Sequence, residues 1–184
     1  SVTFRQGLRD QLIASLRRGE IDIVVGSINP DRLDEDLRQE PVLEDRIAVV
    51  ARADHPLAGA RQLALQDLVP FRWVLPETGE AELDRLCSSF RRHGLPQPEC
   101  VVRTASSVFM ASVLKSGDYL SYLPAALITL DPDFAHLRAL DLAEPIWPRV
   151  VVGVTYRRRG VMLAPVRRFI NRLSETGRSM QTRF

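Results

Sequence analysis

Short runs of β-branched residues alternate with helical stripes along this chain, and that alternation restricts the possible folds more than any other feature. From Arg5 to Arg18 the apolar residues recur every three or four positions, as on one helix face; they are Leu8, Leu12, Ile13 and Leu16. The next run, Ile21 to Val25, is too short for a helix and predicts a buried strand. This order is the second half of a βαβ unit, with Val2 to Phe4 as its first strand.

The same alternation continues to the end of the chain. After a polar loop, further strands are predicted at Ile47 to Ala51, Trp73 to Leu75, Cys100 to Arg103, Tyr119 to Leu123, Leu137 to Leu140 and Val150 to Tyr156. Helices are predicted near Asp67, over Ala81 to Arg92, from Ser106 to Gly117, over Pro124 to Thr129 and over Ala164 to Thr176. This order indicates an α/β protein with an open, mostly parallel sheet.

Two of these strands, Ile47 to Ala51 and Val150 to Tyr156, bracket the middle of the sequence. If they pair, the chain forms two lobes, each an open sheet flanked by helices, joined by these two crossing strands. The first lobe then comprises residues 1–71 and 149–184, and residues 72–148 form an inserted second lobe. Clefts between lobes commonly bind small molecules, so we expect a ligand there.

The composition is that of a soluble globular protein, with 45% hydrophobic and 26% charged residues among 184. No apolar run approaches the roughly 20 residues that span a membrane, and the start, SVTFRQGLRD, lacks the apolar segment of a signal peptide. We therefore expect a cytoplasmic protein without a membrane partner. Cys87 and Cys100 provide no framework of disulfides, which suits reduced thiols in that compartment.

The charge pattern argues against direct binding of nucleic acid by this chain. Arginine clusters such as Arg157 to Arg159 could contact phosphates. However, 23 acidic residues are interspersed among 25 basic ones, and the net charge is only +2. Solvated surface therefore explains these arginines.

The sequence carries no catalytic motif. His55, His93 and His136 belong to different predicted elements, and no phosphate loop, nucleophile elbow or metal-ligand spacing accompanies them. Cys87 could act as a nucleophile, but it falls on the apolar stripe of its helix, which favours burial. We expect no enzymatic activity, no cofactor and no metal.

The helix after Arg103 begins with a pair of serines, Ser106 and Ser107, which allows two interpretations. A serine hydroxyl can cap a helix by accepting a hydrogen bond from an N–H two or three residues on. The exposed N–H groups of a helix start can also hold an anionic ligand. Both interpretations stay open, since one hydroxyl can cap while the other faces a ligand.

Four stretches, taken in order, resemble the effector-binding domain of LysR-type transcriptional regulators: LIASLRRGEIDIVVG, LEDRIAVVARADHPLAG, LALQDLVPFRWVLP and SGDYLSYLPAAL. The resemblance extends from Leu12 to Leu173. It implies a two-lobed fold similar to the type II periplasmic binding proteins. It also implies an effector-sensing regulatory domain that binds a small organic molecule between the lobes. The N–H donors of the helix start favour an anionic one. An exported solute-binding receptor of the same fold is the alternative.

The resemblance also nominates effector-binding residues. It places the effector between the start of the second lobe's second helix and the loop after the IDIVVG strand, with hinge residues near the same opening. The residues at these positions are Ser106, Ser107, Val108, Phe109, Ser27, Ile28, Pro76, Glu77 and Thr78. Tyr119 and Tyr122 lie near the hinge, where packing is the favoured role.

The resemblance further implies parts that this sequence does not match. LysR-type regulators carry an N-terminal winged helix-turn-helix, so contact with DNA depends on that missing domain. Their effector domain also begins with a strand and a helix before the strand predicted at Val2 to Phe4. A sheet without that first strand exposes backbone donors and acceptors, so we expect a truncated chain rather than a new fold.

Two amphipathic helices predict self-association as a homodimer or a higher homo-oligomer. The helices Arg5 to Arg18 and Ala81 to Arg92 can pair twice across a two-fold axis, as relatives pair their effector domains, and bury both stripes. The residues predicted at this interface are Leu8, Leu12, Leu83 and Leu86. The alternative is that each stripe only covers its own sheet.

Overall fold

The computed structural model describes residues 2–7, 9–28, 35–77, 80–159 and 162–181. The helices are α1 (Arg9–Arg18), α2 (Glu80–Arg92), α3 (Ser107–Lys115), α4 (Ala125–Leu130) and α5 (Ala164–Gln181). The strands are β1 (Ile23–Ile28), β2 (Leu37–Asp45), β3 (Ile47–Arg52), β4 (Arg72–Pro76), β5 (Cys100–Thr104), β6 (Tyr119–Pro124), β7 (Leu137–Ala139) and β8 (Val150–Arg157). Short 3-10 helices lie at Leu65–Leu68 and Pro132–Phe134.

The chain divides into two compact units. The first contains Ser1–Asp45 and Val150–Phe184, and the second contains Arg46–Arg149. The chain therefore passes between the units twice. The boundary expected near residue 71 differs from this division, because β3 belongs to the sheet of the second unit and residues 46–71 belong with it.

The sheet of the first unit has three strands in the order β1-β8-β2, and both pairings are antiparallel. Val24 of β1 lies opposite Thr155 of β8, and Gln39 of β2 lies opposite the same residue. The mostly parallel sheet expected from the sequence is therefore wrong for this unit. Alternation along a sequence indicates which strands exist, but it cannot show that β8, from near the end of the chain, lies between β1 and β2.

Helices α1 and α5 cover opposite faces of this sheet. Leu16 of α1 packs in one apolar cluster with Val24, whereas Ile170 of α5 packs in another with Val154 and Ile23. Neighbouring residues of a strand point to opposite faces of the sheet. Because Val24 packs with α1 and Ile23 packs with α5, the two helices lie on different sides.

Polar contacts and one glycine attach α5 closely to β2. The Tyr156 hydroxyl donates a hydrogen bond to Glu40 Oε1, and Arg167 Nη1 donates to the same oxygen at 3.0 Å. Partial burial raises the pKa of Glu40, but these two hydrogen bonds outweigh it, so the net shift is downward. Gly177 permits the close approach of the helix, because a Cβ there would overlap the Val42 carbonyl oxygen.

The beginning of the chain departs from the prediction. Residues 2–7 have no regular secondary structure, and the side chains of Val2 and Phe4 are exposed. Helix α1 begins at Arg9 rather than Arg5, and Leu8 lies outside the described residues. A strand needs a neighbour for its backbone hydrogen bonds. Within the described ranges, however, the only strand that pairs with β1 is β8.

The second unit contains a five-stranded mixed sheet in the order β5-β4-β6-β3-β7. Strand β4 is parallel to β5 and β6, whereas β3 is antiparallel to β6 and β7. The expected pairing of Ile47–Ala51 with Val150–Tyr156 is wrong, because Val49 lies opposite Tyr122 and Val50 lies opposite Ala139. Val49 and Val50 point to opposite faces and are both buried, as residues of an interior strand are.

Each face of this second sheet has its own core. On the face covered by α2, Trp73 and Phe90 pack edge to face with ring centroids 6.3 Å apart, and Tyr122 joins the same cluster. Packing is thus the role of Tyr122. On the other face, α3 buries Met110 and Leu114. This buried stripe holds α3 on the sheet and so positions its N-terminus.

Candidate functional site

The predicted residues Ser106 to Phe109 form the N-terminus of α3. Ser106 is the N-cap residue: its backbone is extended, with φ −90° and ψ 109°, and its Oγ accepts a hydrogen bond from Phe109 N–H at 3.2 Å. The Ser106 N–H in turn donates to Thr104 Oγ1 at 3.0 Å. The capping interpretation is therefore confirmed for Ser106. Ser107 occupies the first helical position, and its side chain is exposed.

The first turn of α3 places N–H donors beside exposed apolar side chains. The first N–H groups of a helix have no partner within the helix. Here the N–H of Phe109 donates to the capping hydroxyl of Ser106. The side chains of Val108 and Phe109 are 58% and 53% exposed. Such a surface can hold a small molecule whose anionic group faces the helix start and whose apolar part contacts the side chains.

Pro76 and Glu77, which were predicted as hinge residues, lie within the second unit, whereas the chain passes between the units next to Asp45 and Val150. They lie at the same sheet edge as this helix start. Strands β4 and β5 are parallel, and Pro76 lies opposite Thr104. Glu77 N–H donates a hydrogen bond to the Thr104 carbonyl at 2.9 Å, so the two strand ends are held together. Ligands of α/β proteins commonly bind at the carboxyl ends of such strands. Thr78, the third predicted hinge residue, lies outside the described residues.

The remaining predicted effector residues, Ser27 and Ile28, belong to the first unit. They end β1 opposite Val152 and Val151 of β8. Ser27 is exposed, whereas the side chain of Ile28 is buried and lies near Gly153 of its own sheet. A contribution of the Ile28 side chain to ligand binding is therefore not supported, because it already packs inside its unit.

The leucines predicted at a dimer interface differ in burial. Leu86 is fully buried in the second unit, so its side chain covers its own sheet and cannot contact another copy. Leu12 and Leu83 are partly buried and lie at the margins of their clusters. Leu8 lies outside the described residues. Helical spacing alone could not separate Leu86 from Leu83, because both lie on the apolar stripe of α2.

Two buried polar atoms of the second unit were not indicated by the sequence. Trp73 Nε1 and the Tyr122 hydroxyl have no hydrogen-bond partner in the described part of the chain. Burial, assisted by Glu82, raises the pKa of Tyr122, so the phenol stays neutral. Both side chains belong to the cluster on the α2 face, whereas α3 packs on the other face. They therefore lie apart from the α3 terminus.

The titratable residues considered from the sequence are dispersed. His55 is buried and lies 4.6 Å from the Phe71 ring, while His136 Nε2 is 3.1 Å from the Ala111 carbonyl oxygen. Within residues 2–7, 9–28, 35–77, 80–159 and 162–181, no three His, Cys, Asp or Glu side chains are grouped to hold a metal ion. No helix in these ranges is both long and apolar enough to cross a membrane.

Comparison with known sequences identifies relatives of the chain. Residues 1–178 match the family model described as the LysR substrate binding domain. The chain is 32% identical over 142 residues to the HTH-type transcriptional regulator GalR of Pseudomonas putida, a match that takes in 77% of this chain and 36% of the regulator. The chain thus spans between about a third and about a half of the length of the curated relatives it matches.

Solved structures share the fold. The CcmR regulatory domain of Synechocystis, in complex with 2-PG, superposes with a TM-score of 0.78 at 22% identity and covers 98% of this chain and 85% of its own. The effector binding domain of QuiR, in complex with shikimate, superposes with a TM-score of 0.71 at 19% identity, and the match covers 96% of this chain and 81% of the QuiR chain. These similarities confirm the expected α/β fold of the type II periplasmic-binding-protein kind, with two sheets flanked by helices.

Proposed function

The chain belongs to the LysR substrate-binding domain family, and on that basis we propose that it is the effector-sensing domain of a LysR-type transcription factor. Its curated relatives are bacterial transcriptional regulators, which favours this function over an exported receptor. The domain binds a small molecule and transmits the change to a DNA-binding domain outside these 184 residues. Such a factor acts in the cytoplasm, and its activity is regulatory rather than enzymatic.

The observation that carries this proposal is the N-terminus of α3. Its first turn combines a capped, rigid start at Ser106 with an exposed hydroxyl at Ser107 and the exposed side chains of Val108 and Phe109. The helix is anchored through buried Met110, so its terminus is held in place before a ligand arrives. A site organised in advance loses less entropy on binding.

The proposed effector is a small organic anion. The partial positive charge at a helix N-terminus stabilises a carboxylate by about 0.3 to 1 kcal/mol at an exposed site, and by more when the group is partly buried. Shikimate, the ligand of the QuiR domain, is a carboxylate of this kind. The exposed Phe109 and Val108 suit an effector whose carbon skeleton contacts them. Exposed Glu77 at the adjacent strand end suits a hydroxyl donor on the same molecule.

A calorimetric titration of the protein with shikimate and a panel of other small carboxylates tests the proposal. Ser107→Ala removes the exposed hydroxyl at the helix start and is expected to weaken binding several-fold with little change in melting temperature. Ser112→Ala is the matched control, because Ser112 is exposed on the same helix but lies beyond its first turn. If Ser107→Ala lowers the melting temperature strongly and leaves the affinity unchanged, Ser107 has only a structural role.

We further propose that the domain forms a homodimer through α1 and α2. The partly buried Leu12 and Leu83 lie at the margins of the apolar stripes and supply the contact, while Leu86 remains inside its own unit. In sedimentation, Leu83→Glu is expected to shift the protein from dimer to monomer. A wild-type protein that sediments as a monomer at tens of micromolar contradicts the dimer proposal without affecting the ligand proposal.

A further inference from the structure

One polar contact lies inside the apolar core beneath α3. The Ser121 hydroxyl donates a hydrogen bond to Met110 Sδ, with Oγ and Sδ 3.1 Å apart. Ser121 of β6 is fully buried, and Met110 of α3 is 2% exposed. Met110 belongs to an apolar cluster with Val50, Val74 and Leu123. A hydroxyl in such surroundings has given up its hydrogen bonds to water, which costs free energy.

A gain in stability does not account for this hydroxyl. A thioether sulfur is a weak acceptor, so the bond returns little of what the hydroxyl loses on leaving water. Alanine at position 121 would avoid that loss. What the hydroxyl adds is direction, because a hydrogen bond restricts the distance and angle between its atoms, whereas apolar contact has no preferred direction.

The contact restricts a side chain that is flexible by itself. Methionine is unbranched and has three rotatable side-chain bonds, so it adapts to irregular space in a core. A hydroxyl that binds Met110 Sδ selects among these conformations and thereby fixes where α3 lies above β6. The effect reaches the helix start directly. The Met110 N–H donates to the Ser106 carbonyl at 3.0 Å, and the Phe109 N–H donates to Ser106 Oγ.

A second polar contact holds α3 from another position on the sheet. His136 Nε2 lies 3.1 Å from the Ala111 carbonyl oxygen, and since a carbonyl only accepts, the imidazole is the donor. His136 immediately precedes β7, and β3 lies between β6 and β7 in the sheet. Two strand spacings therefore place the backbones of Ser121 and His136 roughly 10 Å apart beneath the helix. Two directional contacts at this separation hinder the helix from rolling on its apolar face.

We propose that Ser121 is a positioning residue of the effector site: its hydroxyl, acting through Met110, fixes the orientation of the first turn of α3. This inference rests on the proposed function, which assigns effector binding to that turn. Ser121 does not itself touch the effector, since it is fully buried beneath the helix. A helix start held in one orientation loses less entropy when a ligand binds, so Ser121 contributes to affinity rather than to stability.

Hydrogen exchange of the Phe109 and Met110 amides tests the inference without any ligand, because both amides are bonded within the first turn. In Ser121→Ala we expect both amides to exchange several-fold faster while the melting temperature stays nearly unchanged, since one turn can open without global unfolding. Ser89→Ala is the matched control. Ser89 is a buried serine of α2, on the other face of the same sheet, and its loss should leave the two amides unaffected.

A double variant separates positioning from stability. Met110→Leu removes the sulfur acceptor and keeps an apolar side chain in the cluster. In Ser121→Ala combined with Met110→Leu neither polar atom remains, so we expect a melting temperature close to that of the wild type. The two amides should nevertheless exchange as fast as in Ser121→Ala alone, because both substitutions remove the same contact. A merely structural role predicts instead that exchange returns to the wild-type rate along with stability.

Titration of the wild type and Ser121→Ala with shikimate and the other small carboxylates is the second measurement. Each carboxylate that binds the wild type is expected to bind Ser121→Ala several-fold more weakly. Unchanged exchange of the two amides in Ser121→Ala would overturn the inference, as would faster exchange with unchanged affinity. If no carboxylate binds the wild type, the proposed effector is wrong, whereas the exchange comparison still decides whether Ser121 positions the helix start.

Discussion

The two units of this chain bury their sheets in different ways. The second unit has five strands with a separate core on each face, and its largest fully buried side chains include Trp73 and Phe90. The first has three strands, and beside one of them lies an apolar groove that exposes Val25 and Phe169. The difference teaches that similar strand and helix patterns can produce one unit with a core on each face of its sheet and another whose described sheet has an apolar, unpaired edge.

The largest expected difference concerns two phenylalanines. Phe90 is fully buried in the second unit, so Phe90→Ala should lower the free energy of unfolding of that unit by about 3 to 5 kcal/mol. Phe169→Ala is the control from the first unit, where this side chain is 40% exposed, and it should cost much less in the 184-residue chain. Denaturant unfolding followed by fluorescence reports on the second unit, because both tryptophans lie there. If Phe90→Ala and Phe169→Ala lower the free energy of unfolding equally, the two units do not differ in how completely their cores are buried.

The next largest effect is expected at the junction of α5 and β2. Gly177→Ala places a methyl group against the Val42 backbone, and overpacking of this kind costs about 1 to 3 kcal/mol. Gly59→Ala is the control, since no neighbouring atom lies within 4 Å of a Cβ built there. The loss of stability in the first unit should appear as faster hydrogen exchange of the β2 and β8 amides. If Gly177→Ala leaves their protection unchanged, α5 does not stabilise this sheet as the packing indicates.

A smaller effect is expected at the start of α3. Ser106→Ala removes the acceptor for Phe109 N–H, and the loss of such a cap costs about 1 kcal/mol. Ser112→Ala, at an exposed position of the same helix, should leave stability nearly unchanged. The measurement is the midpoint of urea unfolding for each variant. Identical midpoints for wild type and Ser106→Ala would show that the cap contributes nothing.

The two units should also respond to acid at different pH values. Burial lowers the pKa of His55 from its ordinary value of 6.5, against the opposing charge of Asp118, so the folded second unit favours the neutral ring. Its stability should therefore fall as the pH drops below about 6.5, where the unfolded chain takes up the proton more readily. In the first unit the pKa of Glu40 is lowered, so the stability that its carboxylate contributes is lost only as the pH falls below about 4.5.

Unfolding followed by tryptophan fluorescence on either side of pH 6.5 measures the response of the second unit. His55→Asn is the control, because an amide oxygen can accept the Leu57 N–H that His55 Nδ1 accepts at 3.1 Å, and it does not titrate. If the free energy of unfolding stays constant down to pH 4.5 in both the wild type and the variant, the predicted acid response of the second unit does not come from His55.

The elements of the second unit were largely predictable because their signals are local. The helix expected over Ala81 to Arg92 is observed at Glu80–Arg92, and the strand expected over Tyr119 to Leu123 is observed at Tyr119–Pro124. The serine pair likewise indicated the helix start, and the cap at Ser106 follows from the chemistry of its hydroxyl. Periodicity and capping depend on neighbouring residues, so a sequence displays them directly.

What could not be predicted depends on residues that are distant along the chain. Strand β2 was missed because Pro41 and its acidic residues hide a strand whose partner, β8, lies more than a hundred residues later. Residues 2–4 have a strand pattern without an observed neighbour, so the pattern alone was misleading. At the site, a helical stripe could not reveal that Leu86 is fully buried while Leu83 is not.

The most direct test of the proposed function is a backbone NMR titration of the protein with shikimate and related small carboxylates. We expect saturable shifts of the amide resonances of Ser107, Val108 and Phe109 for the carboxylates that bind, because these residues form the first turn of α3, where the anion is proposed to bind. Val101, on the edge strand β5, should show no comparable shift. Binding whose shifts lie elsewhere and leave residues 107–109 unchanged would contradict an effector site at the N-terminus of α3.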